Sequence, residues 1–440
     1  MIAFAAMEKI DTLIEAKWII PVEPAGVLTE HCVAVQGASI LAVLPAEEAR
    51  TRYAPKESIT LDRHVLIPGL VNLHTRAARA LLRGLGAPSR ASDIPQGLLS
   101  EPERHLLSAE FVFDGTWLAC NEMLRGGITC FGDTYFFPRQ SAQAALECGM
   151  RAAVGLPCLD FPTAYASDLA DYLAKGLETR DEFRGEPLLS FSIAPYSANA
   201  VSDESLVRAV TMSDELDLPI HVHLHATLGE IAESMNQHGL RPIERLVRLG
   251  ALGPRIIAVH AAHLEPGEVE ALARYGASVA HCPASDLKHA GGFAPVGLLR
   301  RAGVNVGLGT DAPPENERLD MFEQMRLCVL LAGSKQDAAF AAREALEAAT
   351  LGGARALGLE RVIGSIAPGK EADLCALAFD APETIPCYDP ISHLATVAGR
   401  ENVSHVWVRG TLVHDKNLAG LARPDMAARV ASWQNKLSAK

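Results

Sequence analysis

Short apolar segments recur through the middle of the chain at spacings that suit alternating strands and helices. Several are followed by a stretch of helical composition, such as Ser108–Arg125 and Glu204–Leu216. Eight such units predict a (β/α)₈ TIM-type barrel and favour it over a doubly wound sheet. The predicted barrel strands are Val65–Leu73, Gly127–Phe131, Arg151–Leu156, Leu188–Ala194, Pro219–Leu224, Arg255–His260, Ala277–His281 and Gly303–Leu308.

The two ends of the chain show a different pattern, with short β-rich segments and few helical periods. Asp11–Val22 and Val33–Leu44 lie at one end, and Ala372–Ala378 and Val403–Val413 lie at the other. Arg409-Gly410 predicts a tight turn within the last segment. We therefore predict an α/β fold with two domains: a small composite β-sandwich of residues 1–66 plus 362–440, formed by both termini, and a barrel of residues 67–361.

Composition and charge narrow the class of protein. Lys and Arg number 40 against 53 Asp and Glu, and the resulting net charge of −13 makes nucleic acid an improbable partner. No apolar run reaches the ~18 residues that a membrane span needs, and the first residues do not resemble a signal peptide. The nine cysteines are scattered without a CxxC pair, which favours free thiols in a reducing compartment. We expect a cytoplasmic protein.

Titratable side chains cluster directly after the predicted strands, where barrels of this type place their functional residues. Seven of the fifteen histidines lie there. Residues two apart on a strand share a face, so His221, His223 and His225 are expected to point the same way. Imidazole and carboxylate groups are common ligands of zinc and iron. The residues placed to surround one metal ion are His74, His223, His260 and Asp311.

Further motifs accompany these residues. They are Pro68–His74, Glu122–Phe131, His281–Pro283, Ser285–Lys288, Gly309–Asp311 and Ile366–Leu374. Together with the histidines of the fifth strand, these segments resemble the amidohydrolase superfamily. The most similar branch is that of the methylthioadenosine/S-adenosylhomocysteine deaminases and triazine chlorohydrolases. The resemblance covers nearly the whole chain and implies the composite terminal domain as well as the barrel.

The resemblance also implies a mechanism for hydrolysis of a C–N bond in a small heterocycle. A divalent metal, zinc or iron, lowers the pKa of a bound water, and the resulting hydroxide attacks a ring carbon. Carried over to this chain, the family pattern assigns His74, His223 and Asp311 as metal ligands. Asp311 and His260 become the catalytic residues, since the first accepts a proton and the second orients the water.

Four positions depart from the family pattern. The second histidine of a His-x-His pair is Arg76, a glutamate after the fifth strand is Ala226, and a histidine after the fourth strand is Tyr196. The loop of residues 87–97 lacks an acidic, tryptophan-containing segment. We expect Arg76, Tyr196 and His225 to contact the ligand.

These departures change the expected chemistry. Arg76 has no lone pair to give a metal and is expected to pair with Asp311. Ala226 removes a proton donor of a kind that typically contributes ~10²–10⁴-fold in rate. Three nearby carboxylates are possible replacements, each expected to be a surface or structural group: Asp133, Glu230 and Glu315. Arg79 is expected on an exposed helix face.

The sequence supports two hypotheses of function. In the first, the chain is a deaminase-like amidohydrolase with an altered or reduced metal site. In the second, it is a catalytically silent homologue that binds a small anionic ligand or a partner without metal. A third hypothesis, with less support from the residues, is a lyase or isomerase reaction. The family resemblance implies a homodimer and a small-molecule ligand in either case.

Overall fold

The computed structural model describes residues 7–85, 99–289, 291–334, 341–417 and 425–438. The strands within these ranges are β1 (Glu8–Ile19), β2 (His31–Gln36), β3 (Ser39–Pro45), β4 (Tyr53–Pro68), β5 (Leu70–Thr75), β6 (Ile128–Asp133), β7 (Arg151–Cys158), β8 (Leu189–Pro195), β9 (Ile220–Leu224), β10 (Ile256–His260), β11 (Ser278–His281), β12 (Asn305–Leu308), β13 (Leu374–Ala378), β14 (Val403–Val408) and β15 (Thr411–Asp415).

Helices follow most of the barrel strands and cover their outer faces. The α-helices within the described ranges are α1 (Ala46–Arg52), α2 (Glu101–Leu106), α3 (Ala109–Arg125), α4 (Pro138–Glu147), α5 (Leu169–Glu182), α6 (Asp203–Leu216), α7 (Leu228–His238), α8 (Pro242–Arg248), α9 (Pro266–Tyr275), α10 (Pro283–Lys288), α11 (Val296–Arg301), α12 (Met321–Ser334), α13 (Ala342–Glu347), α14 (Gly353–Ala356), α15 (Pro390–Thr396) and α16 (Met426–Ser438). A 3₁₀ helix at Ala77–Leu82 follows β5.

The eight strands β5 to β12 form one parallel sheet in chain order, which confirms the predicted barrel. The main apolar core lies between these strands and the surrounding helices. The first and last strands meet at the carboxyl end of the sheet, where the Asp311 N–H donates to the carbonyl oxygen of His74 (3.0 Å). The barrel therefore closes at the edge where the candidate site residues lie.

The two ends of the chain pair in a second, composite domain, as predicted, and its strands form one mixed sheet. Its seven strands run in the order β15-β14-β13-β4-β1-β2-β3, so strands from both termini pair across β4 and β13. The β14–β15 hairpin turns at Arg409 and Gly410, which both have positive φ. The exact domain boundaries stay a prediction, although β4 extends to Pro68, beyond the expected boundary.

The first predicted barrel strand, Val65–Leu73, is divided between the two sheets. β4 ends at Pro68 in the terminal sheet, and β5 begins at Leu70 in the barrel. Gly69 lies at the break, where a Cβ atom would come within 2.2 Å of the Thr129 hydroxyl oxygen. Both halves of the segment are buried, so the apolar pattern alone gave no sign of the break.

Arg151 joins the base of the barrel to the terminal sheet. Its side chain is buried at the start of β7, and its Nη2 lies 3.1 Å from Asp373 Oδ1 and 2.6 Å from Glu371 Oε2. Its Nη1 donates to the Pro187 carbonyl oxygen at 2.9 Å. The donor groups of this buried cation are therefore matched by acceptors that lie just before β8 and β13.

Two expectations about the remaining chain can be compared with the structure. No helix in the described ranges is long and apolar enough to cross a membrane. All nine cysteines are free thiols, and most of them are buried.

Replacing Arg151 with methionine should lower the free energy of unfolding by about 3 kcal/mol, because Asp373 would keep a buried charge without its cation. Urea unfolding followed by circular dichroism would measure the change. Arg139→Met is the matched control, since Arg139 pairs with Glu182 at the surface and should contribute less than about 1 kcal/mol. Equal losses in the two variants would contradict the argument.

Candidate active site

Six predicted site residues meet at the carboxyl ends of the barrel strands. His74 is the last residue but one of β5, His223 lies on β9, His260 ends β10, and Asp311 follows β12. The ring centroids of His74 and His223 are 5.0 Å apart, as are those of His223 and His260. Arg76 and Tyr196 complete the group, because the Arg76 guanidinium lies 5.7 Å from the Tyr196 ring centroid.

Asp311 is the most heavily engaged residue of the site. Arg76 Nη2 donates to its Oδ1 at 3.2 Å, the Ala312 N–H donates to the same oxygen at 2.9 Å, and Ser285 Oγ donates to Oδ2 at 2.7 Å. Burial opposes ionisation of this carboxyl group, but Arg76 and the nearby histidines hold its pKa well below the usual range. Asp311 is therefore an ionised, buried acceptor.

Arg76 belongs to a line of alternating charges. Its side chain is buried, with 7% exposure, beside an Asp311 side chain that is 1% exposed. Its Nη2 also lies 4.0 Å from Glu315 Oε1, and Glu315 in turn pairs with Arg79. Arg79 Nη2 donates to Glu103 Oε2 at 3.2 Å. The line contains three carboxylates and two guanidinium groups, so Arg79 is buried and paired rather than on an exposed helix face.

Three histidines of the site are neutral at pH 7. His74 Nδ1 lies 3.1 Å from His221 Nε2, and burial lowers the pKa of His221 to about 3. Burial is also the main cause that lowers the pKa of His74 and His223 well below the usual value, with further lowering by neighbouring histidines. The buried Nε2 atom of His74 has no hydrogen-bond partner among the described residues.

His260 is the exception among these histidines. Burial lowers its pKa, but Asp286 outweighs burial, because Asp286 Oδ1 lies 2.7 Å from His260 Nδ1 and the resulting pKa is raised. Neither Asp286 nor Ser285 is among the site residues predicted from the sequence. Both occur in the Ser285–Lys288 motif, so the available signal was the motif itself.

The backbone is strained at the ends of the strands that carry the site. His260, Ala261 and Asp311 all have φ between 51° and 70°, a region that L-residues rarely adopt. Such conformations persist where the surrounding structure fixes them and are common at functional sites. Here the positive φ values direct the His260 and Asp311 side chains toward each other, and their Nε2 and Oδ2 atoms are 4.0 Å apart.

The structure does not bring His225 to the site. β9 ends at Leu224, and the positive φ of His225 (54°) turns its side chain away from the face that His221 and His223 share. The Ile243 N–H donates to His225 Nε2 at 3.2 Å, and Nδ1 lies 3.3 Å from the His263 carbonyl oxygen. His225 would share the face of His221 and His223 only if β9 continued beyond Leu224, so the predicted ligand contact of His225 has no geometric support.

Each of the three possible replacement carboxylates has an oxygen that is engaged by another group, but Oε1 of Glu230 and Oε2 of Glu315 are buried without a hydrogen-bond partner among the described residues. Asp133 Oδ1 accepts the Ala77 N–H at 2.9 Å, and burial raises its pKa to about 6. Glu230 Oε2 accepts the Ala226 N–H at 2.8 Å, and burial raises its pKa to about 7. Glu315 pairs with Arg79. Glu315 alone also lies within 4.0 Å of Arg76.

A pocket opens beside Arg76 on the Tyr196 side of the site. Tyr196 stacks on His223 with ring centroids 5.2 Å apart and planes inclined by 19°. The walls are mostly aromatic and aliphatic, with Arg76 as the one cation among the lining residues. The lining residues are Arg76, Thr134, Tyr135, Phe136, Pro157, Leu159, Ala194, Pro195, Tyr196, His221 and His223. The loop of residues 87–97 lies outside the described residues.

The donor set does not fit a divalent cation as the side chains stand. Across the described ranges, no group of three or more His, Cys, Asp or Glu side chains has an arrangement that would hold a metal ion. A guanidinium, which has no lone pair to donate, instead contacts the Asp311 oxygen nearest to His74. A cation bound between His74, His223 and Asp311 would have to displace Arg76.

The His260–Asp286 pair should give His260 a raised pKa that depends on Asp286. The contribution of this pair to the free energy of unfolding is complete below the usual pKa of histidine. It is lost as the pH rises through the raised pKa of His260. Histidine ¹⁵N chemical shifts followed from pH 5 to 9 would measure this. Asp286→Asn should lower the His260 pKa and leave His221 neutral throughout. An unchanged His260 titration would contradict the assignment.

Comparison with known proteins gives a consistent picture over nearly the whole chain. A family model described as the amidohydrolase family matches residues 65–413. A 5-methylthioadenosine/S-adenosylhomocysteine deaminase from Saccharophagus degradans is 38% identical over 441 residues, which cover 98% of this chain and 97% of the relative. The corresponding enzyme from Teredinibacter turnerae is 39% identical, with 98% of both chains covered.

Solved structures agree with these matches. An adenosine deaminase from Xanthomonas campestris, crystallised with bound zinc, superposes with a TM-score of 0.95 at 41% identity and covers 99% of this chain and 100% of its own. An atrazine chlorohydrolase from Arthrobacter aurescens, also complexed with zinc, has a TM-score of 0.87 at 21% identity, covers 96% and 99% of the two chains, and shares the fold. Because the family model matches residues 65–413 and a relative is 38% identical over 98% of the chain, the chain belongs to the amidohydrolase family.

Proposed function

We propose that this chain binds a small heterocyclic ligand in the mouth of an amidohydrolase barrel, with the Arg76 guanidinium in the position of a metal ion. The observation that carries the proposal is the buried contact of 3.2 Å between Arg76 Nη2 and Asp311 Oδ1. On this proposal the chain does not carry out the deamination for which its relatives are named.

Electrostatics favour Arg76 over a metal at this point. Arginine stays protonated throughout the accessible pH range, so a divalent cation at Asp311 would face a fixed positive charge at contact distance. Burial alone disfavours the charged form of Arg76, but Asp311 and then Glu315 outweigh it and raise its pKa further. A guanidinium held by two carboxylates has little tendency to move aside.

The position after the fifth barrel strand supports the same proposal. Ala226 carries no group that could deliver a proton to a ring nitrogen. Glu230, the nearest carboxylate along the chain, accepts the Ala226 N–H through Oε2, and its buried Oε1 has no hydrogen-bond partner among the described residues. A positioned acid or base typically contributes ~10²–10⁴-fold in rate. Loss of this group together with the metal removes two separate sources of rate enhancement.

The charges around Arg76 also bear on the ligand. Arg76 on its own would suggest an anionic ligand, but Asp311 and Glu315 already balance it. His221 and His223 are neutral, and the remaining pocket walls are mostly aromatic or aliphatic. We therefore favour an uncharged, flat heterocycle that packs against Tyr196 over an anion.

A second candidate function is C–N bond hydrolysis with a reduced metal site. Two observations favour it: relatives that are 38% and 41% identical over almost the whole chain are named as deaminases, and the buried Nε2 atom of His74 has no partner among the described residues. His74, His223 and Asp311 would hold the metal if Arg76 moved to Glu315. A homodimer remains a prediction for either function.

Metal content separates the two candidates. Protein purified after growth with added zinc should contain far less than one zinc per chain by elemental analysis, because Arg76 occupies the site. Arg76→His combined with Ala226→Glu should raise the content toward one per chain, whereas Ala226→Glu alone should not. About one zinc per wild-type chain would contradict the main proposal and support the second candidate.

Ligand binding without turnover is the second expected result. Calorimetry with 5-methylthioadenosine should detect binding that Tyr196→Ala weakens about tenfold, since base–aromatic stacking contributes ~1–3 kcal/mol. Ammonia release from the same compound should stay at the level of a protein-free control. Ammonia release by the wild type that Asp311→Asn and His223→Ala abolish would contradict the proposed loss of deamination.

A further inference from the structure

The helix α16 follows the strands of the terminal sheet along the chain but packs on the barrel. Met426 in its first turn and Trp433 two turns later are its buried side chains. Met426 belongs to an apolar cluster with Trp117 of α3. Trp433 belongs to a second cluster with Phe111 of α3 and Leu82 of the 3₁₀ helix after β5. Both elements are therefore in contact with α16.

Trp433 is fixed by a buried carboxylate of α3. Its Nε1 donates to Asp114 Oδ2 at 2.8 Å, and its ring meets the Phe111 ring edge to face, with centroids 5.4 Å apart. Arg429, one turn earlier on α16, places Nη2 2.7 Å from Asp114 Oδ1. The Asp114 side chain is only 1% exposed, and a buried charge is costly unless it is matched. Here α16 supplies both an N–H group and a cation.

The residue after Asp114 touches the backbone that leads away from the site. A Cβ atom on Gly115 would come within 2.1 Å of the Ala78 carbonyl oxygen, so α3 and the 3₁₀ helix meet backbone to backbone at this point. Ala78 lies between Arg76 and Arg79, the two guanidinium groups in the line of alternating charges. A shift of α3 would therefore displace the backbone that carries both cations.

The apolar cluster around Trp433 also reaches the pocket beside Arg76. Tyr135 and Phe136 belong to this cluster and line the pocket as well. Side chains in a close-packed core transmit a displacement from one neighbour to the next. The position of α16 is therefore linked to the pocket by its aromatic wall as well as by the backbone contact at α3.

We propose that α16 is a brace that holds the Ala77–Leu82 segment on the barrel, so that Arg76 stays against Asp311 and the pocket keeps its binding shape. Trp433 and Asp114 are positioning residues, since neither lines the pocket. The inference rests on the proposed function for the identity of the ligand. The link from α16 to Arg76 depends only on the contacts described above.

The test follows amide hydrogen exchange by mass spectrometry in the full chain. The Ala77 N–H donates to Asp133 Oδ1 at 2.9 Å, and the Arg79 N–H donates to the Arg76 carbonyl oxygen at 3.0 Å. Peptides that contain these amides therefore report on the braced segment. Trp433→Ala should speed their exchange at least about tenfold and leave the exchange of β10 within about twofold.

Two variants serve as controls. Trp433→Phe keeps the ring and removes the N–H, so it should restore most of the protection from exchange. Trp18→Ala removes a tryptophan from the terminal sheet, where its ring lies 6.3 Å from that of Phe379, and should leave the braced segment within about twofold. If Trp433→Ala does not fold, Arg429→Gln is the milder change and should speed exchange of that segment about threefold.

Ligand affinity separates positioning from a general loss of stability. Calorimetry with 5-methylthioadenosine should show about tenfold weaker binding to Trp433→Ala, because the pocket wall and Arg76 lose their support. Trp18→Ala should bind the same compound within about twofold of the wild type, even where its melting temperature falls. The two variants are therefore compared at a temperature at which both are folded.

Three results would overturn the proposal. They are unchanged exchange of the Ala77 and Arg79 amides in Trp433→Ala, an equal rise of exchange in β10, and faster exchange with unchanged ligand affinity. Absence of 5-methylthioadenosine binding by the wild type would instead count against the proposed function. Hydrogen exchange would still decide whether α16 holds the segment next to Arg76.

Discussion

The contact between Arg76 and Asp311 is the interaction on which the site depends. Asp311 links the two ends of the barrel sheet, because its N–H donates to the His74 carbonyl oxygen and its own carbonyl oxygen accepts from Thr75 Oγ1 at 2.9 Å. The same residue carries the charge that holds Arg76. Asp311 therefore contributes both to the closure of the barrel and to the balance of charge at its mouth.

A buried charge needs compensation, and this chain supplies it with side chains. The line from Asp311 through Arg76, Glu315 and Arg79 to Glu103 alternates in sign at each step. Tyr135 donates its hydroxyl to Glu103 Oε1 at 2.8 Å and closes the line against the aromatic wall of the pocket. Removing one member would leave its neighbours buried without partners, which is costlier than the net stabilisation of any single pair.

The relatives show how far a shared fold constrains chemistry. Relatives that are 38–41% identical match almost the whole chain, and the solved one among them superposes with a TM-score of 0.95, so the barrel and the terminal sheet are shared. Function is a property of the site rather than of the fold, so the shared fold does not by itself decide what the side chains at the carboxyl ends of the strands do.

The barrel, the composite terminal sheet and the family could be predicted from the sequence, because periodicity and short motifs are local properties of the chain. Arg76 and Ala226 could also be recognised there as departures from the family pattern. Only the folded structure shows that Arg79 is buried, that His225 turns away once β9 ends, and that Asp286 holds His260. Arg76 and Asp311 are 235 residues apart, so only closure of the barrel brings their charges into contact. Local sequence patterns show which side chains a strand end carries. The partner of each side chain depends on where strands distant in the sequence end.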